Sequence, residues 1–247
     1  MKLQGKVAIV TGASRGIGKA VAVGFAKEGA RVVIVARDEP SLKETAGEIQ
    51  RIGQQQQVLP ITGDLSQETV VFDMVKKAER AFGRIDILVN NAGILTPRSL
   101  IHEVEISDWD RSLAMNLRAP FLCIQAVLPQ MIQLCSGVII NVSSGAGKRA
   151  APTWGPYAVA KFGVEGLTKL VAAEVEPYRI RVNAVNPGGV RTSMRAMAYP
   201  DEEPTTLPAP EETVPLFVWL ASDESQGVTG ESIDWREWVK DRNSPRF

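Results

Sequence analysis

Residues 6–18 read K-V-A-I-V-T-G-A-S-R-G-I-G, and this stretch decides the fold. Its first half is a Val/Ile-rich run of the kind that forms a strand buried on both faces. Glycines 12, 16 and 18 follow, a helical pattern of apolar residues continues to Ala30, and residues 31–36 predict a second strand. A strand, glycine turn, helix and strand in this order predict a dinucleotide site, because glycine lets the backbone approach a pyrophosphate at the helix N-terminus.

The end of the second predicted strand bears on the choice of cofactor. A site for NAD usually carries an acid about 20 residues after the glycines, where it bonds the ribose 2′-hydroxyl. Here the strand ends in Ala36 and Arg37, and Arg37 suits a 2′-phosphate. Arg15, within the glycine turn, could approach the same phosphate, whereas Asp38 comes slightly late but could turn inward as the acid of an NAD site. The two arginines favour NADP(H).

Strand and helix patterns alternate along the rest of the chain, with helices at 41–52, 66–81, 109–134 and 157–176 and strands at 55–62, 85–89, 138–142 and 180–185. The alternation predicts an α/β fold, a Rossmann-type doubly wound parallel sheet of about seven strands flanked by helices on both faces. One domain over residues 1–247 is expected at this length. The proline-rich segment 195–215 is predicted as a loop over the active-site edge, before helix and strand resume at 216–220 and 231–235.

Polar residues follow the third and fourth predicted strands. Asp64 comes directly after the third strand, where its carboxylate could bond an adenine amino group or cap the next helix. The motif N-N-A-G at 90–93 follows the fourth strand. Its small residues would allow a cofactor to approach, although turns of this kind also form for conformational reasons alone.

A further group of polar residues lies within residues 139–163. Ser144 follows the strand at 138–142, and Tyr157 and Lys161 are four residues apart on one helix face. An adjacent cation favours the charged form of tyrosine, so Lys161 is expected to lower the pKa of Tyr157. Ser144 could hydrogen-bond the same substrate oxygen. The segment predicts a proton donor, its activator and a polarising group, although each residue type is also common at helix surfaces and turns.

Composition narrows the class of protein. Lys+Arg and Asp+Glu balance at 28 each, so no general attraction to nucleic acid is predicted. Cys123 and Cys135 lie in apolar sequence and are expected to be reduced core residues. No apolar run approaches the ~18 residues of a membrane span, and the N-terminus lacks a signal-peptide pattern, so a cytoplasmic protein is expected. The single histidine, His102, has no metal-spaced partner, and no metal site is predicted.

The predicted helix at 109–134 carries apolar residues on more than one face. Such a helix is either fully internal or contacts another subunit, and the pattern supports both interpretations equally. The second interpretation predicts a homo-oligomer, either a homotetramer or a dimer.

Six motifs, in their order along the chain, resemble those of the short-chain dehydrogenase/reductase family. They are T-G-A-S-R-G-I-G from Thr11, N-N-A-G from Asn90, Asn116, Ser144, Y-A-V-A-K from Tyr157 and N-P-G-G-V-R-T from Asn186. The similarity covers residues 5 to about 230, and Ser144 precedes Tyr157 by thirteen positions, the usual interval in that family. The resemblance implies an oxidoreductase that transfers a hydride between NADP(H) and a carbonyl or secondary alcohol.

The resemblance also implies a role for each matching residue. Tyr157 would be the general acid in carbonyl reduction and the base in alcohol oxidation, and Lys161 would lower its pKa and hold the nicotinamide ribose. Ser144 would bond the substrate oxygen, and Asn116 would position a water that links Lys161 to solvent. The residues expected to contact the cofactor are Gly12, Ser14, Arg15, Gly16, Ile17, Gly18, Arg37, Asp64, Leu65, Asn90, Ala92, Gly93, Tyr157, Lys161, Pro187, Gly188, Val190 and Thr192.

Two segments depart from the family's pattern. The proline-rich segment after Thr192 is shorter than the usual two-helix substrate lid, which implies a more open pocket. The tail at 231–247 carries Trp235 and Trp238 where the family normally ends its last strand in Asp-Gly-Gly. The path of the tail therefore cannot be inferred from the family.

A general carbonyl reductase is the preferred function, with a substrate pocket expected at residues 94–100, 145–155 and 193–210. A 3-oxoacyl reductase acting on acyl-carrier-protein or CoA thioesters is the alternative. The basic residues that would attract an acidic carrier protein are absent from 130–135 and 171–175. A catalytically idle NADP(H)-binding sensor or partner-binding module is a hypothesis of another class, against which the intact Ser144, Tyr157 and Lys161 argue.

Overall fold

The computed structural model describes residues 1–52 and 57–243, and it is built around one parallel sheet. Its strands are β1 (Val7–Thr11), β2 (Arg31–Ala36), β3 (Val58–Thr62), β4 (Ile87–Asn90), β5 (Gly137–Val142), β6 (Ile180–Asn186) and β7 (Ser232–Asp234). They lie in the order β3-β2-β1-β4-β5-β6-β7, and every neighbouring pair is parallel. The strand order reverses between β1 and β4, which places a ligand crevice at the carboxyl ends of these strands.

Helices cover both faces of the sheet. They are α1 (Gly16–Lys27), α2 (Glu39–Gln50), α3 (Glu68–Phe82), α4 (Ile106–Leu113), α5 (Ala119–Leu134), α6 (Gly155–Val175), α7 (Ser193–Ala198), α8 (Pro210–Ala221) and α9 (Trp235–Asn243). Successive side chains of a strand point to opposite faces, so Ala8 packs with α1, α2 and α8 whereas Ile9 packs with α3, α5 and α6. The predicted fold class, with seven strands and helices on both faces, is confirmed.

The predicted helix at 109–134 begins earlier and is not uniform. It consists of α4, a π-helical segment at Ala114–Arg118, and α5. Phe121 and Leu134 of α5 are exposed, whereas Cys123 is buried, so α5 is not fully internal within one chain. Cys135 is exposed as well, and the prediction that both cysteines are core residues is wrong for Cys135. Cys135 has a left-handed φ of 46° just after α5 ends, which turns it away from the core.

The predicted loop at 195–215 contains more helix than its prolines suggested. Helix α7 extends into it, and α8 begins at Pro210 rather than at residue 216. Proline suits the first position of a helix, where its missing N–H has no partner to lose. Glu212 caps the same end, because its Oε1 accepts the Ala209 N–H at 2.7 Å.

The tail also differs from the predicted strand at 231–235. Strand β7 ends at Asp234 and the chain turns directly into α9. Trp235 is buried against α8, and its Nε1 donates to the Glu212 carbonyl at 3.2 Å. The predicted start of β3 at residues 55–56 lies outside the described residues. Within residues 1–52 and 57–243, no helix is long and apolar enough to cross a membrane.

Candidate active site

A cavity of about 720 Å³ opens at the carboxyl ends of the strands. The glycine turn after β1 and the end of β2 line one part of it, and the ends of β5 and β6 with the start of α6 line the other. The predicted site residues that line this cavity are Gly12, Ser14, Arg15, Gly16, Ile17, Arg37, Leu65, Ala92, Gly93, Ser144, Tyr157, Lys161, Pro187, Gly188, Val190 and Thr192. The cavity therefore joins the predicted cofactor residues to the predicted catalytic residues.

Four predicted site residues do not line the cavity. A Cβ on Gly18 would stand 2.3 Å from the Gly12 carbonyl oxygen, so glycine here lets α1 pack on the turn. Asp64 Oδ1 accepts the Ser66 N–H at 3.0 Å, which orders the turn before α3. The other two, Asn90 and Asn116, are completely or almost completely buried.

The side chains of Asn90 and Asn116 form hydrogen bonds within the protein, Asn90 between two strands and Asn116 with the backbone of a neighbouring segment. Asn90 Nδ2 donates to Asn141 Oδ1 at 2.9 Å, between β4 and β5. Asn116, within the π-helical segment, accepts the Ile94 N–H at 2.9 Å and donates to the Ile94 carbonyl at 3.0 Å. Asn116 thereby positions the segment that follows β4 along the cavity.

Asn91, which was not predicted, lines the cavity where its neighbour Asn90 does not. Its Nδ2 donates to the Thr11 carbonyl at 2.9 Å, and its backbone N–H donates to Thr11 Oγ1 at the same distance. Asn91 thus fastens the end of β4 to the glycine turn. Strand alternation is the signal that could have separated the two asparagines, since adjacent residues point in opposite directions.

The glycine turn has the form of an anion site. Gly12 and Gly16 have φ values of +67° and +57°, which a residue with a side chain adopts only with strain. Helix α1 begins at Gly16 and carries no acidic residue in its first turn. Its N–H groups and positive dipole end therefore face the cavity without a competing carboxylate.

Arg37 and Asp38 have different orientations at the end of β2. Asp38 caps α2, since its Oδ1 accepts the Ser41 N–H at 2.8 Å. Hydrogen bonds from Ser41 hold the pKa of Asp38 below its usual value, and the nearby Arg15 adds a smaller effect. Arg37 lines the cavity and forms no ion pair with any described residue. Asp38 lines the cavity too, but one of its oxygens is bonded to Ser41, whereas Arg37 has no ion-pair partner among the described residues.

Four consecutive residues at the end of β5 interact with one face of α6. We call these four pairs the β5–α6 polar ladder: Asn141 with Thr168, Val142 with Lys161, Ser143 with Glu165, and Ser144 with Tyr157. The α6 members are spaced three or four residues apart, so they share one helix face. The Lys161 ammonium donates to the Val142 carbonyl at 2.7 Å. The ladder fixes both predicted catalytic side chains of α6 relative to Ser144.

The protonation of Tyr157 and Lys161 differs from the prediction. Burial raises the pKa of Tyr157, and hydrogen bonding from Ser144 opposes this effect only in part. Lys161 lies with its Nζ 5.6 Å from the centre of the Tyr157 ring, and burial lowers its own pKa to about 8. The predicted lowering of the Tyr157 pKa is therefore wrong for the chain alone, because desolvation of both groups outweighs their proximity. At neutral pH, Tyr157 carries the proton that a general acid needs.

Two arginines and two aromatic rings stack together next to the cavity, and Trp154 and Arg195 of this group line it. The Arg98 guanidinium lies 5.0 Å from the Trp154 ring centre and 5.7 Å from that of Tyr199, and Arg195 stacks on Tyr199 at 3.8 Å. Arg98 also donates to Thr153 Oγ1 at 2.9 Å. Thr153 has a φ of 71°, a conformation that is strained for a β-branched residue. Arg98 thus joins the three segments that were predicted to line the substrate pocket.

We expect Arg98→Ala to raise KM for the carbonyl substrate several-fold, because Trp154, which lines the cavity, would lose the guanidinium that stacks on its ring. KM for NADPH should change less than about two-fold, because Arg98 does not line the cavity and its ring contacts are with Trp154 and Tyr199. Arg98→Lys keeps the charge but loses the paired hydrogen bonds to Thr153, so partial recovery is expected. Steady-state kinetics with each substrate varied in turn measures both constants. An unchanged KM for the carbonyl substrate would contradict this role.

Known proteins are similar to this chain over most of its length. The model of the short chain dehydrogenases matches residues 6–203. The 3-oxoacyl-[acyl-carrier-protein] reductase FabG of Thermotoga maritima is 39% identical, over 94% of this chain and 97% of its own. The Escherichia coli oxidoreductase YciK is 34% identical, over 94% of this chain and 92% of its own. A short chain dehydrogenase of Shigella flexneri, crystallised with NADP, has a TM-score of 0.90 at 33% identity, covering 95% of this chain and 98% of that one.

The doubly wound sheet, with its glycine turn and its serine, tyrosine and lysine around one cavity, defines an oxidoreductase of the Rossmann type. The chain belongs to the short-chain dehydrogenase/reductase family, as its six motifs predict.

Proposed function

We propose that this chain is an NADP(H)-dependent carbonyl reductase. The observation that carries the proposal is the protonated Tyr157 hydroxyl, buried beside Ser144 in a cavity that continues to the glycine turn. Because its pKa is raised, Tyr157 is protonated at neutral pH, so the proton that carbonyl reduction consumes is present on the residue beside Ser144. Bound NADPH would supply the hydride, and the protein's part is to bind, orient and protonate.

In the proposed reaction, Tyr157 donates its proton to the carbonyl oxygen, and Ser144 hydrogen-bonds the same oxygen. Lys161 holds the nicotinamide ribose with the ammonium group that also bonds Val142. The backbone around Gly12 and Gly16 holds the pyrophosphate at the start of α1. Asn116 keeps the role that the family resemblance implies, the positioning of a water on the path from Lys161 to solvent.

Two observations support NADP(H) over NAD(H). Arg37 faces the cavity without a carboxylate partner among the described residues, whereas the Asp38 carboxylate is engaged by the start of α2. A guanidinium suits the 2′-phosphate, and an NAD site needs an acid at this place. The NADP found in the related Shigella flexneri protein is consistent with this choice.

The substrate side of the cavity supports an apolar carbonyl compound. Its lining includes Leu95, Met115, Trp154, Met194 and Met197, which are adaptable apolar side chains. A 3-oxoacyl thioester is the second candidate, and the relative from Thermotoga maritima with that activity in its name favours it. The end of α5, where an acidic carrier protein would need cations, offers instead the exposed apolar Leu134 and Cys135.

The test measures NADPH consumption with a panel of ketones, aldehydes, quinones and acetoacetyl thioesters. The loss of the near-ultraviolet absorbance of NADPH reports the consumption. Turnover of apolar ketones, aldehydes or quinones supports the proposal. Turnover restricted to the thioesters would establish the second candidate instead. Tight NADPH binding with no turnover of any compound would establish the idle sensor and contradict a reductase.

We also propose a homo-oligomer that forms through α5 and α6. Phe121 on α5 and Val159, Phe162 and Leu170 on α6 are exposed in the single chain, with exposed fractions of 44% to 58%. Apolar patches of this kind mark protein contacts, and a second copy of the same face gives a closed two-fold interface. Light scattering of the purified chain tests the proposal, which a monomeric mass would contradict.

The cytoplasmic location stays a prediction.

A further inference from the structure

Glu165 is a buried acid that the proposed chemistry does not use. Its exposed fraction is 9%, and it lies one turn beyond Lys161 on the same face of α6. A buried carboxylate costs free energy unless it is hydrogen-bonded and paired with a cation. Two interactions involve it: a hydrogen bond at the end of β5, and an electrostatic interaction with Lys161 across a distance longer than an ion pair.

The first contact is the hydrogen bond that Ser143 Oγ donates to Glu165 Oε1. Ser143 is itself buried, and it stands between Val142, whose carbonyl accepts from Lys161, and Ser144, which interacts with Tyr157. Glu165 therefore fastens the residue that lies between the two catalytic contacts of the β5–α6 polar ladder.

The second interaction is electrostatic and acts along one helix face, without an ion pair between the two side chains. Burial lowers the pKa of Lys161 to about 8, and the negative charge of Glu165 acts against this lowering. The other charged groups that line the cavity on this side are Arg111 and Arg195, which are cations and bond Asp108 and Glu202. Tyr157, the titratable group nearest along α6, is neutral at this pH. Among the described residues, Glu165 is thus the acid that favours the charged form of Lys161.

We propose that Glu165 is a positioning residue that maintains Lys161 as an ammonium and holds the end of β5, through Ser143, in register with α6. The inference rests on the proposed function in one respect, namely that the reductase needs Lys161 in its charged form. Its electrostatic part concerns the free protein and can be measured without turnover.

The decisive experiment titrates the full chain labelled with carbon-13 at the lysine ε-carbon, followed by NMR. The resonance missing from Lys161→Met identifies Lys161. Its midpoint should lie at about 8 in the natural chain. Glu165→Gln keeps the shape of the side chain and its hydrogen-bond acceptor but removes the charge, so the Lys161 midpoint should fall by about one pH unit. An unchanged Lys161 midpoint overturns the proposal.

Two further variants separate charge from general damage to the helix. Glu165→Asp keeps the charge on a shorter side chain, so its midpoint should stay closer to the natural value than that of Glu165→Gln. Glu174→Gln removes an equal charge from an exposed position on the same helix and should leave the Lys161 midpoint unchanged. An equal fall in Glu174→Gln would show that the net charge of the helix, rather than Glu165, is responsible. If Glu165→Gln does not fold, Glu165→Asp tests the proposal instead. A Lys161 midpoint in Glu165→Asp that lies about one pH unit below that of the natural chain would overturn the proposal.

Glu165→Gln should also change the pH dependence of kcat/KM for NADPH in a definite direction. If reduction requires the ammonium form, kcat/KM for NADPH falls as the pH rises through the Lys161 pKa of the free enzyme. A one-unit lower pKa in Glu165→Gln would reduce this constant about nine-fold at about pH 9 and less than two-fold at about pH 6. A uniform loss at every pH indicates structural damage and overturns the charge role. An inactive chain whose Lys161 titration still shifts would contradict the reductase and leave the Glu165 inference standing.

Discussion

Tyr157→Phe should reduce kcat for carbonyl reduction by about 10²- to 10⁴-fold, the range expected when a general acid is removed. The substitution deletes the hydroxyl that burial keeps protonated and that Ser144 contacts. The ring, which packs 5.6 Å from Trp154 between centres, is retained. The cavity should therefore keep its shape while losing its proton donor. Single-turnover and steady-state measurements with NADPH and a ketone substrate from the panel give the effect.

Two controls show whether the loss is chemical. The dissociation constant for NADPH and the unfolding midpoint of Tyr157→Phe should both remain close to those of the natural chain. Ser144→Ala should cause a smaller loss than Tyr157→Phe, because one hydrogen bond to the substrate oxygen contributes less than the proton itself. A Tyr157→Phe enzyme with near-normal turnover would refute the assignment of Tyr157 as the acid.

Arg37→Ala should raise KM for NADPH about 10- to 100-fold and leave KM for NADH almost unchanged. A hydrogen bond to a charged group contributes about 1.5–3 kcal/mol, and each 1.4 kcal/mol corresponds to a factor of ten. NADH lacks the 2′-phosphate, so the same variant contains its own control. Parallel kinetics with the two cofactors measure the change.

A matched arginine tests whether loss of any surface charge weakens NADPH binding. Arg80 is exposed on the last turn of α3 and does not line the cavity. Arg80→Ala should leave both cofactor constants unchanged. If the natural chain prefers NADH, or if Arg37→Ala binds NADPH as well as the natural chain does, the assignment of the 2′-phosphate to Arg37 fails.

Much of the site follows from local sequence because its parts are short and strongly constrained. The turn at Gly12 and Gly16 needs φ values that glycine adopts freely, and the strand and helix patterns around it are regular. Tyr157 and Lys161 are neighbours on any helix because of their spacing. For these elements the tertiary structure adds the burial of the side chains and the distances between them, and the local structure agrees with the prediction.

Other features depend on contacts that no local pattern contains. The prolines of 195–215 suggested a loop, yet Pro210 begins a helix that Glu212 caps and Trp235 covers from the far end of the chain. Glu165 resembles the solvent-facing acids of an ordinary helix until β5 is placed against it. The sign of the Tyr157 pKa shift was missed for the same reason, since spacing gives neighbours but not burial.

The β5–α6 polar ladder separates the catalytic geometry from the loop that joins its two elements. All four of its pairs lie before residue 145 or after residue 156, so the intervening segment contributes none of them. That segment carries Trp154, which lines the substrate side of the cavity. Loop grafting between Ser144 and Tyr157 therefore offers a way to redesign substrate choice, provided that Gly147 is kept, since a Cβ there would stand 2.8 Å from the Lys161 carbonyl oxygen.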